Sequence, residues 1–136
     1  KLSNNFAFHS GKQLNALIAL DANGFPLESQ ILLCPWTTGL PKTVSSTLAP
    51  AFFSLGGADA ISQESSQYQE VLKAAGVPYT VKEYESGEHP FIHSPYPEFQ
   101  KGLSAEEKAV FANEEQFALS YQAENDIKEW LNSLWE

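Results

Sequence analysis

Residues 51–62 read AFFSLGGADAIS, and residues 77–91 read VPYTVKEYESGEHPF. In each stretch an apolar or alternating run typical of a β-strand leads to glycine, and a titratable side chain follows, Asp59 in the first and His89 in the second. The interval between these two residues accommodates one helix and one strand. Strands joined through a helix are parallel, so their carboxyl ends meet at one edge of the sheet. The sequence therefore predicts an α/β fold with Asp59 and His89 on adjacent loops.

These positions resemble the acid and histidine segment of the α/β-hydrolase superfamily, most closely esterases and lipases of its hormone-sensitive-lipase-like and small bacterial carboxylesterase branches. The residues that match at fixed offsets are Gly56, Asp59, Ile61, Tyr68, Leu72, Gly76, Gly87, His89 and Phe91. The resemblance covers residues 51 to 91 and is specific because many offsets agree at once. It implies the C-terminal half of an α/β-hydrolase fold, a mostly parallel sheet with flanking helices, in which Asp59 and His89 belong to a catalytic triad.

The resemblance also implies a serine nucleophile upstream, since the superfamily's chain order is nucleophile, acid, histidine. A short apolar strand precedes Ser10 and a helix over residues 13–20 follows it, so Ser10 stands at the turn between them. At such a turn the amide of Gly11 would hold an oxyanion. Phe8 and Lys12 replace the flanking glycines of the usual G-x-S-x-G. Ser10 is therefore the nucleophile of a turn built differently, the nucleophile of an impaired one, or merely a helix cap.

The other candidate residues also have a second interpretation. Asp59 beside glycines is typical of a turn residue that accepts local amide hydrogen bonds. His9 and His93 compete with His89, but the pattern favours His89, and His93 is expected to be exposed. Cys34 ends an apolar strand and is expected to be a buried hydrophobe, although a Cys–His hydrolase is conceivable. A proline interrupts the loop between His89 and His93, so no metal site is expected there.

The mechanism that the resemblance implies is acyl transfer to water. Ser10 attacks an ester carbonyl, His89 takes the proton and Asp59 stabilises the imidazolium. The chain contains no arginine to clamp a carboxylate or phosphate, which favours a small uncharged ester as substrate. The apolar candidates for an acyl pocket are Trp36, Phe91 and Phe8. No cofactor is implied. The alternatives are a catalytically degenerate hydrolase fold that acts as a binding or assembly module, and a peptidase of the same fold.

The domain organisation follows from the same resemblance. Residues 1–136 are expected to form a single hydrolase-domain fragment, from the nucleophile strand to a C-terminal helix, without the strands that precede the nucleophile in the superfamily. The first strand would then be a sheet edge, and Phe6, Ala7 and Phe8 carry no charge or proline to block pairing. The expected partner is the N-terminal fragment of the same hydrolase or a second copy of the chain.

The remaining segments are assigned from periodicity and turn residues. The expected elements are a strand over 28–34, a loop over 36–50, a helix over 64–75 ended by Gly76, a strand over 79–84 near a sheet edge, a surface loop over 92–102, and a helix that begins after a capping box at Ser104 and Glu107 and continues into a C-terminal amphipathic helix.

Charge and hydropathy restrict the partners. The chain has 8 basic and 17 acidic residues and a formal net charge of −9, which disfavours nucleic acid and anionic membrane surfaces, both of which attract clustered cations. No apolar run approaches the ~20 residues that a membrane helix requires. A cytoplasmic protein with no membrane or nucleic-acid partner is therefore expected.

Overall fold

The structure is a computed structural model that describes residues 5–7, 11–24, 27–35, 37 and 39–135, and for residues 5–7, 11–14 and 17 it describes the main chain. Its strands are β1 (Asn5–Ala7), β2 (Gln30–Leu33), β3 (Ala51–Gly56) and β4 (Tyr79–Tyr84). Its helices are α1 (Gly11–Ala22), α2 (Ala60–Gln63), α3 (Ser66–Ala75), α4 (Pro97–Gln100), α5 (Ala105–Phe111) and α6 (Glu114–Leu134), with a 3₁₀ turn at Phe91–His93.

The four strands form one parallel sheet in the order β1-β2-β3-β4. The predicted α/β class is therefore confirmed, and so is the adjacency of the strands that precede Asp59 and His89. Helices α1 and α3 connect strands in the way a parallel sheet requires. Within the described residues β1 forms one edge of the sheet and β4 the other, as the sequence predicts. The carboxyl ends of all four strands lie at the same end of the sheet, and the candidate site is located there.

Helices cover both faces of the sheet. On one face, Leu32 and Phe53 pack in a core that includes Ile18 of α1 and Leu72 of α3. On the other face, Ile31, Leu33 and Cys34 pack with Tyr84, Phe91 and the apolar side of α6. The strands β2 and β3 are buried throughout because both of their faces are covered. This explains why their sequences are continuous apolar runs rather than alternating ones.

Several local predictions are confirmed at the level of single residues. Gly76 ends α3 in the left-handed conformation at φ 76°, a geometry that glycine adopts without steric cost. Ser104 and Glu107 form a complete capping box at the start of α5. The strand over 79–84 has the predicted bounds.

Two predictions about the C-terminal part are wrong. The single helix expected from Ser104 is broken, because Asn113 caps a new helix, α6, by accepting a hydrogen bond from the Gln116 amide. The segment expected to be a surface loop over 92–102 begins with a buried turn. Ile92 contributes to the core under α6, and its carbonyl accepts a hydrogen bond from the hydroxyl of Ser120.

Candidate active site

Asp59 and His89 are joined by a short hydrogen bond beyond the carboxyl ends of β3 and β4. Oδ2 of Asp59 lies 2.6 Å from Nδ1 of His89. The Asp59 side chain is almost fully buried, whereas 27% of the His89 side chain is exposed. A buried carboxylate bonded to one imidazole nitrogen fixes both the ring orientation and the nitrogen that carries the proton. The sequence prediction that these two residues meet is confirmed.

The loops that carry the pair are held by main-chain contacts without room for side chains. An added Cβ on Gly56 would lie 2.4 Å from the Gly87 carbonyl oxygen, and one on Gly57 would lie 2.4 Å from that of Glu85. The amide of Ala58 donates to the Gly87 carbonyl at 3.1 Å. Only glycine permits this approach of two backbones. The glycines at the ends of β3 and β4 therefore set the distance between Asp59 and His89.

The Asp59 carboxylate accepts further hydrogen bonds. The Ile61 amide donates to Oδ1 at 2.9 Å, and the Ser62 hydroxyl donates to Oδ2 at 2.7 Å. Burial acts to raise the pKa of Asp59, but the hydrogen bonds from His89 and Ser62 outweigh it and hold this pKa below its usual value. Asp59 is thus ionised at neutral pH, and it also caps α2. The turn-residue interpretation of Asp59 and its predicted role as catalytic acid are compatible.

His93 lies beside the pair and is half-buried, not exposed as the sequence suggested. Burial, and then the proximity of His89, lowers the pKa of His93. His93 is the last residue of the 3₁₀ turn at Phe91–His93, which begins two residues after His89.

Cys34 also reaches the site, from the end of β2. Its Sγ, a carboxylate oxygen of Asp59 and a ring nitrogen of His89 all lie within 4.8 Å of one another. These three residues could ligate zinc, but ligands at its usual bond lengths stand about 3.3 Å apart. The 2.6 Å between Nδ1 and Oδ2 is a hydrogen-bond distance, so His89 and Asp59 would have to separate to hold an ion.

The thiol of Cys34 lacks the properties of a nucleophile. Cys34 is completely buried, and burial followed by the charge of Asp59 raises its pKa to about 12. Nucleophilic cysteines are thiolates in partly exposed, electropositive surroundings. This environment disfavours the Cys–His hydrolase.

A buried glutamine of α6, which the sequence did not single out, holds the loop that carries His89. Oε1 of Gln116 accepts from the Glu88 amide at 2.9 Å, and its Nε2 donates to the Ser86 carbonyl at 2.9 Å. Gln116 is 2% exposed. A polar residue at a buried helix position is the signal that would have found it, but burial is not visible in one sequence. The side chain joins α6 to the loop that carries His89.

Replacing Gln116 with alanine is expected to lower the free energy of unfolding by about 2 kcal/mol, since two buried main-chain groups lose their partners. The loop of His89 should also become more mobile, because it loses its two contacts with α6. Gln122→Ala is the matched control, because Gln122 is an exposed glutamine of the same helix and should cost less than about 0.5 kcal/mol. Urea unfolding of the two variants provides the measurement. Equal effects of both substitutions would show that Gln116 does not hold the loop.

The remaining predicted site residues lie mostly outside the described part of the chain. Ser10, Phe8 and Trp36 are among them. Gly11 begins α1, so the expected oxyanion amide is in the first turn of a helix that follows the carboxyl end of β1. Phe91 is described, and it lies in the core at 1% exposure with its ring 5.2 Å from that of Tyr84. It belongs to the core cluster that also contains Ile92 and Ala123.

Comparison with known proteins supports the fold. Neither a protein-family model nor a curated protein matches the chain. A solved structure described as the crystal structure of DphMB1 is similar at 17% sequence identity with a TM-score of 0.57. The alignment covers 87% of this chain and 51% of that one, so the chain spans about half the length of the structure it matches. At this identity the likeness shows the α/β fold alone. Among the described helices, none is long and apolar enough to cross a membrane.

Proposed function

We propose that the protein is a serine hydrolase that cleaves carboxylic esters through an acyl-enzyme intermediate. The observation that carries this proposal is the 2.6 Å bond between a buried, ionised Asp59 and Nδ1 of a partly exposed His89. With Nδ1 held by the carboxylate, Nε2 is the nitrogen that accepts a proton from a nucleophile. The pair therefore has the geometry of a general base with its orienting acid.

In the proposed reaction, Ser10 is the nucleophile. Its Oγ attacks the ester carbonyl and passes its proton to Nε2 of His89, while the Gly11 amide stabilises the negative oxygen. Asp59 stabilises the imidazolium, which then protonates the departing alcohol. Water, deprotonated by the same imidazole, hydrolyses the acyl-enzyme and regenerates Ser10. Ser10 precedes α1 and follows β1, whose carboxyl end lies at the same edge of the sheet as the Asp59–His89 pair.

The substrate class follows from charge. A chain with a net charge of −9 and no arginine has little to attract an anionic substrate, so a small uncharged ester is the proposed substrate. A peptidase of the same fold would use the same triad.

A second candidate is a hydrolase fold without turnover that serves as a binding or assembly module. The sequence feature that favours it is the departure from G-x-S-x-G at Phe8 and Lys12, since the glycines of that pattern leave room for a tight turn. In either case β1 is an edge of the described sheet, and the proposed partner is a complementary fragment of a hydrolase or a second copy of the chain.

Hydrolysis of p-nitrophenyl acetate and butyrate separates the two candidates. The parent protein should release nitrophenol catalytically, and His89→Ala should abolish this release. His93→Asn is the matched control, since it changes a neighbouring histidine of the same turn and should retain activity within about fivefold of the parent. A folded parent without turnover, or a His89→Ala variant as active as His93→Asn, would overturn the proposed esterase.

A further inference from the structure

The Asp59 carboxylate accepts hydrogen bonds from three donors. They are Nδ1 of His89 at 2.6 Å, the Ser62 hydroxyl at 2.7 Å and the Ile61 amide at 2.9 Å. An ionised carboxylate has about four acceptor positions. Leaving an acceptor position of a buried carboxylate unfilled costs free energy, because the charge then faces apolar surroundings. One acceptor position of Asp59 therefore remains for a donor from elsewhere in the fold.

Cys34 is a further polar group near the carboxylate, and it lies directly after β2. Its Sγ lies within 4.8 Å of the acceptor atoms of the pair, and its closest polar neighbours are Asp59, Ser62 and the main chain of Gly56. Cys34 is fully buried, so no water competes at the thiol. Burial and the Asp59 charge keep the thiol protonated, which leaves it a donor and never a competing anion.

The backbone at Cys34 is also unusual. Its φ is 46°, and it is the one non-glycine residue in the described part of the chain with a positive φ. The main chain is held in this conformation by the Cys34 amide, which donates to the Ser54 carbonyl at 2.8 Å and continues the pairing of β2 with β3. Left-handed geometry at a non-glycine residue is costly and is retained where the surrounding structure enforces it. At Cys34 this backbone conformation occurs where the thiol lies close to the Asp59 carboxylate.

We propose that Cys34 is a positioning residue of the catalytic pair, whose S–H donates to the Asp59 carboxylate from the β2 side and keeps it aligned on Nδ1 of His89. The inference rests on the proposed function in that the aligned pair is the base of the esterase. It makes no use of Cys34 as a nucleophile or as a metal ligand. It explains why a thiol, a small donor that tolerates a largely apolar pocket, occupies this place.

The kinetic test compares Cys34→Ala with Cys34→Ser. Loss of the donor in Cys34→Ala should lower kcat about tenfold with KM within twofold, since a hydrogen bond to a charged group is worth about that factor. The hydroxyl of Cys34→Ser donates as well, and this variant should recover kcat to within about threefold of the parent. Ser54→Ala is the control for loss of a small buried polar group nearby, because the Ser54 hydroxyl has no hydrogen-bond partner among the described residues.

A second measurement does not depend on turnover. The Nδ1 proton of His89 should give a downfield ¹H NMR signal in the parent, and exchange with water should broaden it in Cys34→Ala but not in Cys34→Ser or Ser54→Ala. A parent without esterase activity that shows this NMR pattern would contradict the proposed function and leave the positioning role supported.

If Cys34→Ala kept the parent's NMR signal, or lost kcat without rescue by Cys34→Ser, the thiol would be a packing residue and the inference would be overturned. If Cys34→Ala does not fold, the test rests on Cys34→Ser. Loss of both the Nδ1 proton signal and kcat in Cys34→Ser would then rule out the donor role.

Discussion

Ser10→Ala is expected to lower kcat for a short-chain ester by about 10⁶. The hydroxyl is the proposed attacking group, and the methyl group of alanine cannot form an acyl-enzyme. The expected loss is measured as nitrophenol release at saturating substrate.

Ser3→Ala is the matched control, since Ser3 is the other serine before α1. It should leave kcat within about twofold of the parent. A Ser10→Ala variant with more than about one hundredth of the parent's kcat would show that the nucleophile is elsewhere.

Asp59→Asn is expected to lower kcat by about 10⁴, the size of effect seen when the orienting acid of a serine triad becomes an amide. In the structure the reason is specific. The carbonyl oxygen of the introduced side-chain amide would still accept from the Ile61 amide, which leaves the new NH₂ group facing Nδ1 of His89. That NH₂ donates to Nδ1 and forces the proton onto Nε2, so the imidazole can no longer take a proton from Ser10.

Asp126→Asn provides the control for Asp59→Asn. Asp126 is a carboxylate that accepts a 2.6 Å hydrogen bond from the Tyr84 hydroxyl, on the side of β4 covered by α6. This variant should lose stability but keep kcat within about fivefold of the parent. Equal losses of kcat in the two variants would indicate that Asp59 contributes only to folding.

The part of the site that is local in sequence was predictable. The strands β3 and β4 are recognisable as apolar or alternating runs, and the glycines that follow them mark the close approach of two loops. Because parallel strands in a βαβ unit bring their carboxyl ends together, the placement of Asp59 and His89 on adjacent loops followed from those runs. The pairing of the two side chains was implied by the resemblance to the α/β-hydrolase superfamily. The same local chemistry predicted Gly76 as a helix cap.

The contacts that join distant parts of the chain were not predictable. Cys34 follows β2 and has a left-handed backbone conformation. An apolar run that leads to Cys-Pro does not predict that the thiol lies close to the Asp59 carboxylate. Gln116 looks like any glutamine of an acidic helix, yet it bonds the main chain of Ser86 and Glu88. Such contacts depend on how α6 and β2 are placed in three dimensions, which periodicity within one segment does not determine.

Activation of Ser10 by the His89–Asp59 pair is the step on which the proposed hydrolase depends, and covalent labelling detects it without a substrate. The protein is treated with a p-nitrophenyl phosphonate, and trypsin cleavage after Lys1 and Lys12 releases a peptide that carries Ser3 and Ser10. We expect one phosphonyl group per chain, located on Ser10, retained in Ser3→Ala and absent in His89→Ala. A protein that takes up no label, or takes it up on a residue other than Ser10, would show that the pair does not activate this serine.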